Sequence, residues 1–156
     1  MDFRISGIPV APFKLLFDLD DAELLKLGAR RHIADEKPGF PCRVSLEDAE
    51  PGERLILVNY AHQPEISSPY RASGPIFVRE AAHETFDRTN EIPEQLRLRM
   101  LSVRAYDRDA LIVDADVVEG TGLEAMIARM FARRDTAYIH AHYARRGCYA
   151  CRIDRT

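Results

Sequence analysis

The chain has 156 residues, a formal charge of −3, and 46% hydrophobic and 30% charged residues. This suits one ordinary domain spanning 1–156, excludes a disordered or fibrous chain, and offers phosphate backbones no general attraction, so no nucleic-acid partner is expected. No signal-type start and no run of about eighteen apolar residues occurs, so the expectation is a cytoplasmic protein without a membrane partner, whose three cysteines are reduced thiols.

Residues 3–8 alternate briefly before Pro9, which predicts a first strand. Asp20 with Glu23 spells a capping box, Leu19 and Leu24 a staple and Gly28 a stop, so a helix follows with Leu24 and Leu27 facing the core. After a Pro-Gly-Phe-Pro turn at 38–41, Cys42, Val44 and Leu46 alternate with Arg43 and Ser45. That pattern predicts a half-buried strand with Arg43 on its polar side, available to an anion. The apolar run at 54–62 predicts a central strand covered on both faces, with His62 at its downstream end.

Residues 63–74, with two prolines and a glycine, read as a long loop in which Ser68 and Tyr70 can close over a ligand. A strand at 75–79 and a polar connection at 80–91 come next. Residues 98–106 and 110–118 predict a hairpin turning at 107–109. Its core face would carry Leu101, Val103, Ala105, Leu111, Val113, Ala115 and Val117. Thr121 with Glu124 opens a second helix to about Arg134, burying Leu123, Met126, Ile127, Met130 and Phe131. Short connections between the middle strands predict an α+β fold, a largely antiparallel sheet of about seven or eight strands with two helices.

The C-terminal hairpin concentrates the reactive side chains. A turn at Ala144-Arg145-Arg146-Gly147 with the glycine as left-handed bulge residue predicts that Ala144 opposes Cys148, His142 opposes Ala150 and His140 opposes Arg152. One face is then apolar, with Ile139, Ala141, Tyr143, Tyr149, Cys151 and Ile153. The other presents His140, His142, Cys148 and Arg152. The His-x-His and Cys-x-x-Cys spelling suggests zinc, but residues three apart on a strand point to opposite faces, so Cys148 and Cys151 cannot meet one ion without a second bulge. A redox Cys-x-x-Cys would need a helix N-terminus, which is not expected here.

The leading expectation is a small-molecule enzyme or binding protein for an anionic ligand. His140 and His142 would serve as acid/base pair, with Arg152 and Arg43 holding the anion. Ser68, Tyr70, His62 and Cys148 are further ligand-binding candidates. The alternatives are a metal site on His140, His142 and His62, and a non-catalytic interaction module using the hairpin as an edge. The sequence specifies no cofactor and no oligomeric state.

The motifs PGFPCRVSLEDA at 38–49, SPYRASGPIFVRE at 68–80, LSVRAYD at 101–107 and HAHYARRGCYACR at 140–152 resemble a bacterial family catalogued as a domain of unknown function. The resemblance spans nearly the whole chain and implies a bacterial single-domain protein, without an activity or substrate. It also implies Asn as the commoner residue where Tyr143 stands, which sets Tyr143 apart from the chemistry.

Overall fold

In a computed structural model describing residues 1–156, Asp20 forms the capping box its sequence spells. Its carboxylate accepts the Glu23 N–H at 2.8 Å, and the Glu23 carboxylate accepts the Asp20 N–H at 2.8 Å. Helix α2 (Asp21–Lys26) starts there and ends before Gly28, whose φ of 70° reverses the chain. Leu24 is buried, but Leu27 is 56% exposed because the helix stops one residue before it.

The fold is α+β and antiparallel, with nine strands and four α-helices. A six-stranded sheet is built in the order β5 (Asp87–Thr89), β1 (Phe3–Ser6), β9 (Tyr149–Arg155), β8 (Tyr138–Tyr143), β6 (Met100–Tyr106), β7 (Ile112–Glu119). A three-stranded sheet places β3 (Arg54–Gln63) between β2 (Arg30–Ile33) and β4 (Ala72–Arg79). The elements that periodicity did not predict, β2, β5, α1 (Ala11–Lys14) and α3 (Glu94–Arg97), are three or four residues long, too short to display a period. Residues 42–46 do not form the expected strand. Cys42 bridges Phe77 and Pro41 bridges Asp48 in isolation, and Leu46 takes a φ of 52°. Strand β3 is central, but of its apolar run only Leu55 and Ile56 are buried; residues 57–62 are half-buried or exposed, and Gln63 at its end is buried again.

The main core lies between one face of the large sheet and α4 (Leu123–Phe131), where Leu123, Ile127, Met130 and Phe131 are buried as their spacing predicts. The expected Thr121 cap does not form. A 3-10 turn at Gly120–Gly122 leads into the helix, which has no side-chain cap. The β6–β7 pairing also differs from expectation. Asp107 accepts the N–H groups of Asp109 and Leu111 at 2.9 Å each, which lengthens the turn, and the register shifts between Ala105 and Tyr106. A one-residue slip exchanges the faces of a strand. Val103 therefore pairs with Asp116, Val118 packs against the core, and Val117 is 54% exposed. No helix is long and apolar enough to cross a membrane.

Candidate functional site

Gly147 adopts the left-handed conformation expected of it, φ 76°, and donates its N–H to the Tyr143 carbonyl at 2.7 Å. The pairing around it lies one residue from expectation: Tyr143, not Ala144, faces Cys148 and donates to its carbonyl at 2.9 Å. A second bulge follows. His142 pairs with Tyr149, and the pairing of His140 with Arg152 is restored beyond it. The two slips cancel, so the His140–Arg152 register holds while Tyr149 and Ala150 exchange roles. Ala150 joins the main core, and Tyr149 joins the cluster beneath the small sheet. Strands β8 and β9 are interior to the sheet, so the hairpin offers no free edge to a partner, because β1 and β6 already occupy its two sides.

The second sheet brings His62, at the end of β3, against the histidine face. Its ring lies 5.0 Å from His142 and 6.3 Å from His140, centre to centre, and stacks on Tyr149 at 5.2 Å and 10°. Tyr106 and Tyr138 close the other side of His140, at 5.0 and 5.2 Å. The Gly147 carbonyl accepts the Nδ1–H of His142 at 3.0 Å, whereas Nε2 of His142, Nδ1 of His140 and both ring nitrogens of His62 are buried without any partner.

Burial governs the charge of this cluster. It lowers the pKa of His140 to about 2 and of His142 to about 4, and Arg152, Arg104 and Arg43 act in the same direction. His62 is lowered as well, by burial and then by Arg104. All three are neutral imidazoles near pH 7, in a field set by cations. No group of three His, Cys, Asp or Glu side chains is arranged around one point as metal ligands.

The other expected ligand residues are placed differently. The guanidinium of Arg152 pairs with Asp154, with Nε–O contacts of 2.9 and 3.0 Å, and lies 4.0 Å over the Tyr138 ring, so its fork is already occupied. Ser68 is buried and structural: its hydroxyl donates to the Ala110 carbonyl at 2.7 Å and accepts the Tyr70 N–H at 3.0 Å, fastening the loop to the β6–β7 turn. Tyr70 is 43% exposed and reaches the cluster only through Tyr106, 6.5 Å away.

Arg43 departs furthest from expectation. Because residues 42–46 turn instead of extending, Arg43 is carried inward and is 3% exposed. Its guanidinium donates to the carbonyls of Pro41 and Tyr149, the latter at 2.6 Å, and sits 4.9 Å over the Tyr143 ring. Burial lowers its pKa from the ordinary value, and it forms no ion pair with a carboxylate, the nearby Asp48 being paired with Arg99. Arg99 lies over the same ring at 5.1 Å, but it is held by Asp48 through two bonds of 2.9 and 2.6 Å. Both arginines line a cleft of about 770 Å³, together with Tyr143, Cys148, Arg145 and Arg146.

Residues 39–155 match a family model described as "Protein of unknown function (DUF1203)". The chain belongs to that family. No curated protein and no solved structure matches it. Within this DUF1203 chain the matched span includes the histidine cluster, Arg43 and the cleft's arginines, whereas β1, which completes the large sheet beside β9, precedes it. Spacing along the chain gave no sign of Arg99, Tyr106, Tyr138 or Tyr149 as site residues. Strand order and the second bulge bring the three tyrosines to His140, and the packing of residues 42–48 brings Arg99 to Asp48 beside Tyr143. Cys148 remains beside the cleft, while Cys151 is buried in the core with its thiol pushed up to about 12.

Proposed function

We propose that this DUF1203 protein binds a small anionic molecule in the cleft under Arg43. The carrying observation is that buried guanidinium, which has two carbonyl acceptors and an aromatic face but no carboxylate partner. A buried charge is costly unless paired, and arginine stays protonated, so an anion from solution is its natural counterion. Arg145 and Arg146 at the exposed turn add attraction; Glu36 and Glu119, also on the lining, temper it and restrict where the anion can sit. The three unpaired thiols fit a cytoplasmic setting.

Calorimetric titration with inorganic phosphate tests the reading. Saturable binding to the wild type should weaken by about tenfold or more in R43Q, since a charge-assisted fork is lost. The double variant R145A/R146A keeps the test valid if R43Q does not fold, because its turn residues are exposed and its affinity should also fall. Phosphate should slow labelling of Cys148 by a thiol reagent. Absence of saturable binding, or equal binding by the arginine variants, overturns the proposal.

A second reading places chemistry at His62, His140 and His142, favoured by their four partnerless ring nitrogens. As neutral rings His140 and His142 supply a hydrogen-bond donor and a weak base to a polar guest, not a ready imidazolium acid. The metal alternative on the same residues requires their nitrogens to converge, and the neighbouring arginines oppose a cation there. Nitrogen-15 shifts of the three rings should move on addition of a substrate found by screening, and should stay fixed if the cluster is only structural.

A further inference from the structure

We infer that the ligand of the Arg43 cleft is an aryl acid, a flat aromatic body bearing one carboxylate or phosphate. The inference rests on the anion reading above and adds the class of molecule. The cleft has two kinds of wall. Arg43, Arg99, Tyr143 and the turn arginines form one; the other is aromatic and apolar, contributed by the small sheet and the Pro-Gly-Phe-Pro turn. There Phe40 and Phe77 lie 5.3 Å apart, centre to centre, and His32 meets the Phe77 ring edge-on at 5.4 Å and 83°. These three rings are half-buried, so each keeps a surface that no side chain of the protein covers.

The two walls are joined through the backbone. The Arg43 N–H donates to the Phe77 carbonyl at 3.0 Å, so the buried cation and the aromatic wall are fixed relative to each other. Leu57, paired with Phe77 across β3 and β4, continues the apolar wall. Leu98 and Met100, on the large-sheet side, are 55% and 44% exposed on the lining. A volume of about 770 Å³ is of the size that encloses drug-sized ligands and far exceeds what a bare phosphate or acetate fills. Rings offset against rings, with an anionic end at a guanidinium, is the complementarity such a cleft presents.

Affinities of four probes separate the outcomes: inorganic phosphate, phenyl phosphate, benzoate and its uncharged analogue benzamide. Phenyl phosphate should bind about tenfold tighter than phosphate or better, and benzoate should bind where benzamide does not. In F77L and F40L the gain from the phenyl group should disappear while inorganic phosphate binds as to the wild type, which also shows that the variants are folded. Equal affinity for phenyl phosphate and phosphate overturns the aryl inference and leaves the anion site standing. Binding of benzamide as tight as benzoate overturns the aryl-acid inference alone, whereas binding of none of the probes overturns both.

Discussion

The Nε–H of Arg43 donates to the carbonyl oxygen of Tyr149 across 2.6 Å, and this bond ties the buried cation of the cleft to β9, the strand paired with the one that carries His140 and His142. The Tyr149 ring in turn stacks on His62. The two candidate sites therefore share one residue, which serves the cleft through its backbone and the histidines through its side chain.

Loss of that donor should cost stability as well as anion binding. In R43A the carbonyls of Pro41 and Tyr149 lose their partner, and a buried acceptor left unsatisfied costs about 1 to 3 kcal/mol. Urea unfolding should report a loss of about 2 to 4 kcal/mol. A loss below about 0.5 kcal/mol would mean that water replaces the guanidinium and that Arg43 is not structurally committed.

The histidine cluster makes stability depend on pH. The folded-state pKa values of His140, about 2, and His142, about 4, lie below the ordinary value of 6.5, so the unfolded chain takes up protons that the folded chain refuses. Their stabilising effect is complete above pH 6.5 and is lost as pH falls toward 4 for His142 and toward 2 for His140. Each contributes a slope of up to about 1.4 kcal/mol per pH unit in that window. Denaturant unfolding from pH 7 to pH 4 should show the decline, and H142Q should flatten it. An unchanged slope in H142Q would show that His142 is protonated in the folded protein.

The three thiols should react unequally. Cys42 and Cys151 are buried, the latter with its pKa pushed up to about 12, while Cys148 is only half-buried on the cleft lining. A colorimetric thiol reagent should therefore titrate one thiol quickly in the native protein and all three after unfolding. Rapid modification of all three under native conditions would contradict the packing around β9.

Two glycine substitutions should differ in cost and in cause. G147A meets no atom within 4 Å, so it costs only the left-handed backbone at φ 76°, about 1 kcal/mol. G120A would place its Cβ 1.9 Å from the Leu96 carbonyl oxygen, which forces the backbone apart. Thermal unfolding should show a small shift for the first and loss of the cooperative transition, or a shift several times larger, for the second.

The capping box at Asp20, the buried stripe of α4, the core face of β6 and the left-handed Gly147 could be read from the sequence because each depends on residues within a few positions of one another. The pairing of His140 with Arg152 was readable too, although the path to it holds two compensating slips that no periodicity records. Alternation at 42–46 reported correctly that Cys42, Val44 and Leu46 are buried, and misled on Arg43, since a strand and a buried turn can bury the same apolar residues.

By itself, then, the sequence determined the α+β antiparallel class, the hairpin and the histidine face, all set by local propensity and by the two-residue period of a strand. Only the tertiary structure decided that His62 joins His140 and His142, that Arg152 is spent on Asp154, and that Arg43 lies buried without a carboxylate. Those relations depend on which distant elements pack together. Close packing fixes them through shape and desolvation, neither of which leaves a periodic mark along the chain.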